Sequence, residues 1–436
     1  MFLLWYNKDM GIFGTLFEGK GGGGKHYAVL EIGPKSLRGV IFSGAPGDSF
    51  PAVKEFAVMP YALKNRASGA FTVDAGMIEK ALKLLLEKLP HMLSASSVSV
   101  GLGAEFLRSV TFRAVFERED AKEKIDTAEL KNLLGKAERA SRESASEHTL
   151  RQNSSGGSDI QLITSRLEEI LIDGYAVSDP VGLAGKEIEI ALFNLYAEEP
   201  HVEFLQALKR TLGTQNLFPR SLPYSVCRAH VASAAASTPY SGIFIGMSES
   251  LTSVSVVSKN IFMGMKLFSI GGSLFTNSIS ANLGLGLEEA GEIKEQYAAG
   301  KLSAQVARKV SGILKRATSV WATGVELALE EFSHALDLFP SSLMVYGEGA
   351  GIPDVIAVLG EAERFTQIPF LEKRAPVALL PANLPFFGKS SPPENIVGMS
   401  SADTAAYCLA YVALFDIGPH NELARIVERA TKLAYS

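Results

Sequence analysis

The sequence predicts an α/β protein of two related lobes, with a small α+β unit set into the first. Three observations carry that expectation. In Tyr27–Ser43, YAVLEIGPKSLRGVIFS, an apolar run ends in Glu31-Ile32-Gly33, turns at Pro34-Lys35-Ser36 and leaves as Leu37–Phe42. That reads as strand, tight turn, strand. A related pattern recurs roughly two hundred residues later, where Ile243–Ile245 meets Gly246–Ser250 and returns as Leu251–Val257. One unit repeated in two halves of a chain points to a duplicated architecture. Finally, Leu343–Tyr346 runs into Gly347-Glu348-Gly349-Ala350-Gly351-Ile352-Pro353 and a helix from Asp354. Strand, Gly-rich turn and helix offer backbone N–H groups and a helix N-terminus to an anion or nucleotide.

Composition sets the bounds. A chain of 436 residues, 47% hydrophobic and 20% charged, suits two or three folded domains. A net charge of −5 gives no basic footprint for nucleic acid. Cys227 and Cys408 are the only cysteines, so no disulfide framework is expected and a reducing compartment suits the chain. Both lie in helix-like, apolar surroundings and read as packed residues. The histidines are scattered, with no metal-ligand spacing. No stretch reaches the ~18–20 apolar residues of a membrane-spanning helix.

Residues 1–24 form a tail with Phe2, Leu3, Leu4, Trp5, Phe13 and Phe17, cut from the body by four glycines. The tail either lies in a membrane interface or packs on the body, and translation starts either at Met1 or at Met10. Residues 25–94 form the first part of lobe one, with strands through Ala52–Tyr61 and a helix over 74–92. Residues 95–212 form the inserted unit. Val98–Leu102 and Ser109–Phe116 read as strands, Thr127–Ala140 as a helix, Lys186–Tyr196 as a strand and His201–Leu212 as a helix. Within the unit, Ser141–Ser158, rich in Ser and Gly, reads as a solvated loop. Glu187 and Glu189 alternate with Ile188 and Ile190, which marks a half-solvated strand rather than a catalytic pair.

Residues 213–240 return to lobe one through a helix over Tyr224–Ala235. Lobe two begins at 241–272, with a further strand over Ile261–Ile270. A helix-rich subdomain fills 273–338, including a long helix over Gln305–Phe332. Residues 339–415 complete lobe two, and 416–436 form a C-terminal segment. There Leu423, Ile426, Val427, Ala430 and Leu433 share a helix face beside Arg425, Arg429 and Lys432.

With the three turns in this order, the chain resembles the actin-like ATPase superfamily, and within it the FtsA family of bacterial cell-division proteins, over roughly residues 25–415. The family resemblance rests on Asp173-Gly174 followed by Asp179-Pro180-Val181-Gly182-Leu183-Ala184-Gly185 and a charged strand, and on the unit inserted before it. It implies a two-lobed actin-like (ribonuclease H-like) ATPase fold with an inserted SHS2-type α+β subdomain. It also implies ATP and Mg²⁺ in the cleft, with contacts from Glu31, Gly33, Lys35 and Ser36 of the first hairpin. Gly246, Ser248 and Glu249 would serve from the second hairpin, Lys294 from a nearby helix, and Gly347, Glu348, Gly349 and Ala350 from the adenosine turn. Glu31 would organise the metal through water.

Implied partners are tubulin-like FtsZ filaments, further copies of the chain, other division proteins and the inner face of the cytoplasmic membrane, where the protein would lie peripherally. The 273–338 subdomain would receive the FtsZ tail, and the N-terminal tail is the better anchor. The sequence departs from the family in several places, among them Glu31 where Asp is usual and an anchor moved from the C-terminal helix. Where the second hairpin should carry a carboxylate, Phe244-Ile245-Gly246 stands, and a slip of two residues would set Gly246 there. That hairpin also reads as longer than usual. Pro34 removes one N–H donor from the first turn. Weak or absent hydrolysis follows. A PilM-like actin-fold adaptor of type IV pilus assembly is the alternative. A sugar-kinase-like phosphotransferase would need the missing carboxylate.

Overall fold

Each lobe is framed by a five-stranded sheet, and the two sheets share one connectivity. The computed structural model describes residues 25–45, 51–61, 75–152, 160–177, 179–214, 216–233, 239–361, 363–380 and 400–415. In the first lobe β1 (His26–Ile32), β2 (Ser36–Ser43), β3 (Ala52–Pro60), β4 (Val98–Leu102) and β9 (Leu217–Ser221) take the order β3-β2-β1-β4-β9. In the second, β10 (Gly242–Met247), β11 (Thr252–Ser258), β12 (Ile261–Phe268), β13 (Leu343–Tyr346) and β14 (Ala378–Leu379) take the order β12-β11-β10-β13-β14. The three hairpin strands of each lobe pair antiparallel, and the remaining two join in parallel. The duplication expected from the sequence is thus present in strand order and in strand direction.

Central strands buried on both faces read as continuous apolar runs, and β1 obeys this with Ala28, Val29, Leu30 and Ile32 all inside. Helix α1 (Ala75–Lys88) presents Ile78, Leu82 and Leu85 to one face of the first sheet. Gly39 of β2 permits that approach, because a Cβ there would stand 2.4 Å from a Leu89 methyl. The other face carries α4 (Leu222–Ser233) and α9 (Thr404–Phe415). These pack on each other, and α9 also contacts β1, β2 and β4. The sequence reading grouped 339–415 with the second lobe; α9 within it lies against the first sheet. Cys227 on α4 and Cys408 on α9 are free, buried thiols, as expected of packed helix residues.

On the second sheet sit α5 (Ser273–Leu283), α6 (Leu287–Ala298), α7 (Ala304–Glu330) and, after the Gly-rich turn, α8 (Pro353–Gly360). Ser303 caps α7 by accepting the Val306 N–H at 3.4 Å. Val310, Leu314, Ala317, Trp321 and Val325 form its buried face at helical spacing. Trp321 is anchored further by its indole N–H, which donates to Thr252 Oγ1 at 2.9 Å.

The inserted unit holds β5 (Arg108–Glu117), α2 (Thr127–Gln152), β6 (Ile160–Ile172), β7 (Tyr175–Ala176), β8 (Glu187–Glu198) and α3 (Glu199–Thr211), with sheet order β5-β8-β6-β7. The loop expected over Ser141–Ser158 is corrected through residue 152: α2 continues to Gln152, and 153–159 lie outside the described residues. The reason is tertiary. Ser141 is fully buried and meets the Tyr196 hydroxyl at 3.1 Å, and Asn194 Nδ2 donates to its oxygen at 2.6 Å. That polar cluster holds the helix to β8 past the point where apolar periodicity ends. Asp173-Gly174 makes the β6–β7 turn with both residues at positive φ, the geometry that favours this dipeptide. The 179–185 loop is pinned to Ile125 by reciprocal backbone bonds, Gly182 N–H to Ile125 O and Ile125 N–H to Leu183 O, each 2.8 Å.

One aromatic cluster joins all three bodies. Phe193 of the insert stacks on Tyr224 of α4 at 4.0 Å, and Phe262 of β12 meets both rings edge-on at 5.3 and 5.2 Å. Among the described residues no helix is long and apolar enough to cross a membrane.

Candidate functional site

The two hairpins close in the same register. In the first, Ile32 pairs with Leu37, and Gly33 N–H bonds Ser36 O at 3.1 Å. In the second, Met247 pairs with Thr252, and Ser248 N–H bonds Leu251 O at 3.0 Å. Counted from these closures, Gly246 stands where Glu31 stands, and Ser253 where Arg38 stands. The slip weighed for the second hairpin is therefore the arrangement found. The two loops match residue for residue, so the second is not the longer one expected from the sequence.

Strand geometry then decides what faces the cleft. Cross-strand partners share a face, so Glu31 and Arg38 look the same way, and Gly39 looks the other way at α1. Arg38 extends between three carboxylates. Its Nη1 lies 3.1 Å from Glu31 Oε1, its Nε 3.0 Å from Asp403 Oδ1, and its Nη2 3.4 Å from Glu348 Oε1. The Arg38 side chain is only 7% exposed. Burial raises the Glu31 carboxyl to about 7, opposed by the Arg38 charge and reinforced by Glu348 and Asp403. Tyr61 donates its hydroxyl hydrogen to Gly33 O and so fixes the first turn from outside.

The second hairpin contributes differently. Lys35 of the first turn meets Glu249 of the second at 2.9 Å, and Lys294 of α6 approaches the same carboxylate at 3.7 Å. Burial lowers the Lys294 pKa, with Glu249 opposing. Ser248 accepts at Oγ from Leu251 N–H and donates to Leu251 O, so its hydroxyl serves the turn itself. Glu105, in the loop after β4, is a further cleft carboxyl whose pKa burial raises.

The Gly-rich turn packs directly on this hairpin. Gly347 has φ of 104°, which favours glycine, and a Cβ there would stand 2.3 Å from Met247 O. At Gly349 a Cβ would stand 2.2 Å from Met247 Sδ. The N–H groups of Gly347, Gly349 and Ala350 go to Ser401 O, Met247 O and Gly347 O at 2.9, 3.4 and 3.2 Å. Three of the four turn residues that the resemblance assigns to a nucleotide thus have their N–H groups bonded within the protein.

The fold thus brings the expected residues together. Glu31, Gly33, Gly246, Ser248, Gly347 and Glu348 line one cavity between the lobes, with Lys35, Glu249 and Lys294 linked beside it. Ser36 is buried, and its hydroxyl finds no partner among the described residues. Gly349 and Ala350 serve the packing just described. The cavity holds about 70 Å³, enough for a few waters but below the ~300–1,000 Å³ of pockets that take small molecules. The Lys35–Glu249 and Arg38–Glu348 contacts cross this cleft from one lobe to the other. The Arg38 guanidinium holds Glu31 Oε1, while Glu31 Oε2 is buried with no hydrogen-bond partner among the described residues, so Glu31 by itself offers Mg²⁺ one free oxygen of the six it asks for. Among the described residues no group of three or more His, Cys, Asp or Glu side chains is placed to hold a metal ion.

Sequence reasoning missed Arg38, Asp403, Glu105 and Tyr61. For Arg38 a signal existed: a lone charge inside the otherwise apolar β2 run must find partners if the strand is central.

No protein-family model matches the chain, and no curated protein matches it in sequence. Among solved structures, a chain of the PilM–PilN type IV pilus biogenesis complex is similar at a TM-score of 0.57 and 18% identity, over 90% of this chain and 99% of that one. The chain has a two-lobed actin-like ATPase fold. Weaker likenesses are the ethanolamine utilization protein EutJ of Carboxydothermus hydrogenoformans and MreB 5 of Spiroplasma citri. The first has a TM-score of 0.45 and 12% identity over 90% of each chain. The second, bound to AMPPNP, has a TM-score of 0.43 and 10% identity over 83% of this chain and 93% of that one.

Proposed function

We propose that this chain is an actin-fold adaptor that works by holding partners, with little or no nucleotide turnover. The observation that carries the reading is the cleft. Two ion pairs cross it from lobe to lobe, Arg38–Glu348 and Lys35–Glu249, and the register sets Gly246 where a second carboxylate would be needed. A polyphosphate could still wedge the lobes into one state without being cleaved. The aromatic contact among Phe193, Tyr224 and Phe262 suits the same role, because it passes any lobe movement to the inserted unit.

The partner reading favoured is a PilM-like adaptor of type IV pilus assembly. Its support is the end-to-end likeness to a chain of the PilM–PilN complex, which covers 99% of that chain. A second reading, the FtsA-like tether of FtsZ filaments, draws on the Asp173–Gly185 segment, folded as a tight turn and a loop clamped on Ile125. Either role places the protein on the inner face of the cytoplasmic membrane. Residues 1–24, the proposed anchor, lie outside the described residues. The test is capture of the full chain by PilN-type and FtsZ proteins from its own organism, with liposomes and with or without ATP. Retention of the PilN-type protein alone supports the first reading, and recruitment of FtsZ to lipid reverses the order. ATP hydrolysis at the rate of a working ATPase would overturn the adaptor proposal. Deleting residues 1–20 should release the protein from liposomes.

A further inference from the structure

A divalent cation in an interlobe cleft does two things. It neutralises converging carboxylates, and it joins groups from the two lobes. In this protein both tasks fall to one side chain. Arg38 has three N–H directions in use: toward Glu31 on β1, toward Asp403 just before α9, and toward Glu348 on the Gly-rich turn. The first two belong to the first lobe by their packing, and the third belongs to the second lobe. The guanidinium is a planar fork with a permanent charge, so the link does not depend on any dissociable ion.

The surroundings, among the described residues, hold no group of three or more His, Cys, Asp or Glu side chains placed for a metal ion. A Mg²⁺ ion asks for six oxygens at about 2.0–2.1 Å in octahedral array and usually keeps several waters. Of the two Glu31 oxygens, Oε1 lies 3.1 Å from an Arg38 nitrogen, and Oε2, buried and without a hydrogen-bond partner among the described residues, is one ligand where Mg²⁺ asks for six. The partner position in the second hairpin is Gly246, which brings no oxygen ligand from a side chain. A Cβ there would stand 2.5 Å from the Tyr346 hydroxyl, so the space is filled as well.

We propose that Arg38 is a built-in substitute for the divalent cation, and that it holds the two lobes together without metal. The inference goes beyond the adaptor reading, because it concerns what closes the cleft and not which partner is held. It stands or falls whichever partner binds.

The experiment is a Mn²⁺ titration of the full chain followed by electron paramagnetic resonance, with small-angle scattering under the same conditions. Wild-type protein is expected to show no saturable bound Mn²⁺, and its radius of gyration is expected to be the same in Mg²⁺ and in EDTA. Arg38→Gln leaves three carboxylates facing one another. It is expected to gain one Mn²⁺ per chain and to melt several degrees higher with Mg²⁺ than with EDTA. Arg38→Lys keeps a cation and should gain no site. Glu348→Gln removes the interlobe arm and should enlarge the radius of gyration. A saturable Mn²⁺ site in the wild type, or a radius that changes with EDTA, overturns the proposal. So does a folded Arg38→Gln protein that gains no site. Should Arg38→Gln fail to fold, the wild-type titration and the Glu348→Gln scattering decide.

Discussion

The two hairpins align residue for residue, Glu31 with Gly246 and Arg38 with Ser253, yet they fill the space above their sheets by opposite means. In the first lobe a carboxylate and a guanidinium stand on neighbouring strands, and the next strand gives way with Gly101. In the second, Gly246 and Ser253 are small, and the next strand brings in Tyr346. Each wall carries large side chains, but only the first carries charge at these positions. The duplicated sheet constrains where side chains project into the cleft and leaves open what chemistry projects. One wall could therefore lose its carboxylate while the other kept its own and paired it internally.

Cutting the charged wall should have the largest effect. Arg38→Ala leaves Glu31, Glu348 and Asp403 without their common counter-charge in a buried setting. Removing one partner of a buried ion pair costs about 3–5 kcal/mol. The matching change in the other lobe, Ser253→Ala, removes one hydroxyl that donates to Gly246 O at 3.3 Å, worth about 1 kcal/mol. Urea unfolding of the two variants should show that gap. Equal losses would mean that the two walls carry the same load.

The second wall can be broken by giving it what the first has. Gly246→Asp would set a Cβ against the Tyr346 hydroxyl and add a buried carboxylate with no arginine opposite. Overpacking of this kind costs about 1–3 kcal/mol before the charge is counted. The double variant Gly246→Asp with Tyr346→Gly sets a glycine beside the carboxylate, as Gly101 stands beside Glu31, and should recover the overpacking part of the loss while the carboxylate stays without an arginine. Recovery is read as a coupling in a double-mutant cycle.

These features differ in how visible they are before folding. The hairpins and the Gly-rich turn were legible because apolar alternation and turn residues are local signals. The match of Glu31 with Gly246 was only half legible, since register depends on where each hairpin closes. Arg38 was passed over as a strand residue, because Glu348 and Asp403 are 310 and 365 residues away in the chain. The extension of α2 through Ser141 was hidden for the same reason: the serine's partners are on β8, and nothing in a Ser-rich stretch announces them. Strand β6, which begins just after that stretch at Ile160, was not read as a strand. The adenosine-turn glycines were legible as glycines, but their use in packing against Met247 depends on a second chain segment.

The seam between the lobes should respond to acid through His230. It lies on α4, donates Nδ1–H to Val226 O at 2.9 Å, and packs edge-on against Phe244 of β10 at 4.9 Å. Burial lowers its pKa to about 4 from the usual 6.5. The unfolded chain binds a proton below 6.5 and the folded chain does not until about 4. Its contribution is therefore complete above 6.5 and is lost as pH falls through that window, by up to about 3 kcal/mol. Denaturation across this range, read as wild type minus His230→Phe, should show that slope. A flat difference would place the histidine in water, and the seam would not be closed as described.

The smallest effect should come from the other interlobe pair, and its size separates it from Arg38. The Lys35 side chain is 49% exposed, while Glu249 is 15% exposed and keeps Lys294 at 3.7 Å. An exposed ion pair is screened by water and salt, so Lys35→Ala should cost less than ~1 kcal/mol. It should also weaken further as salt is raised in the wild type, whereas the Arg38 cluster should keep most of its strength. Glu249→Gln is not its mirror image, because it strands Lys294, whose pKa burial already lowers, and it should cost more than Lys35→Ala. If both variants lose the same small amount, Lys294 has found another counter-charge, and the second hairpin supplies none of the charge that closes the cleft. The Arg38 cluster would then hold the lobes alone.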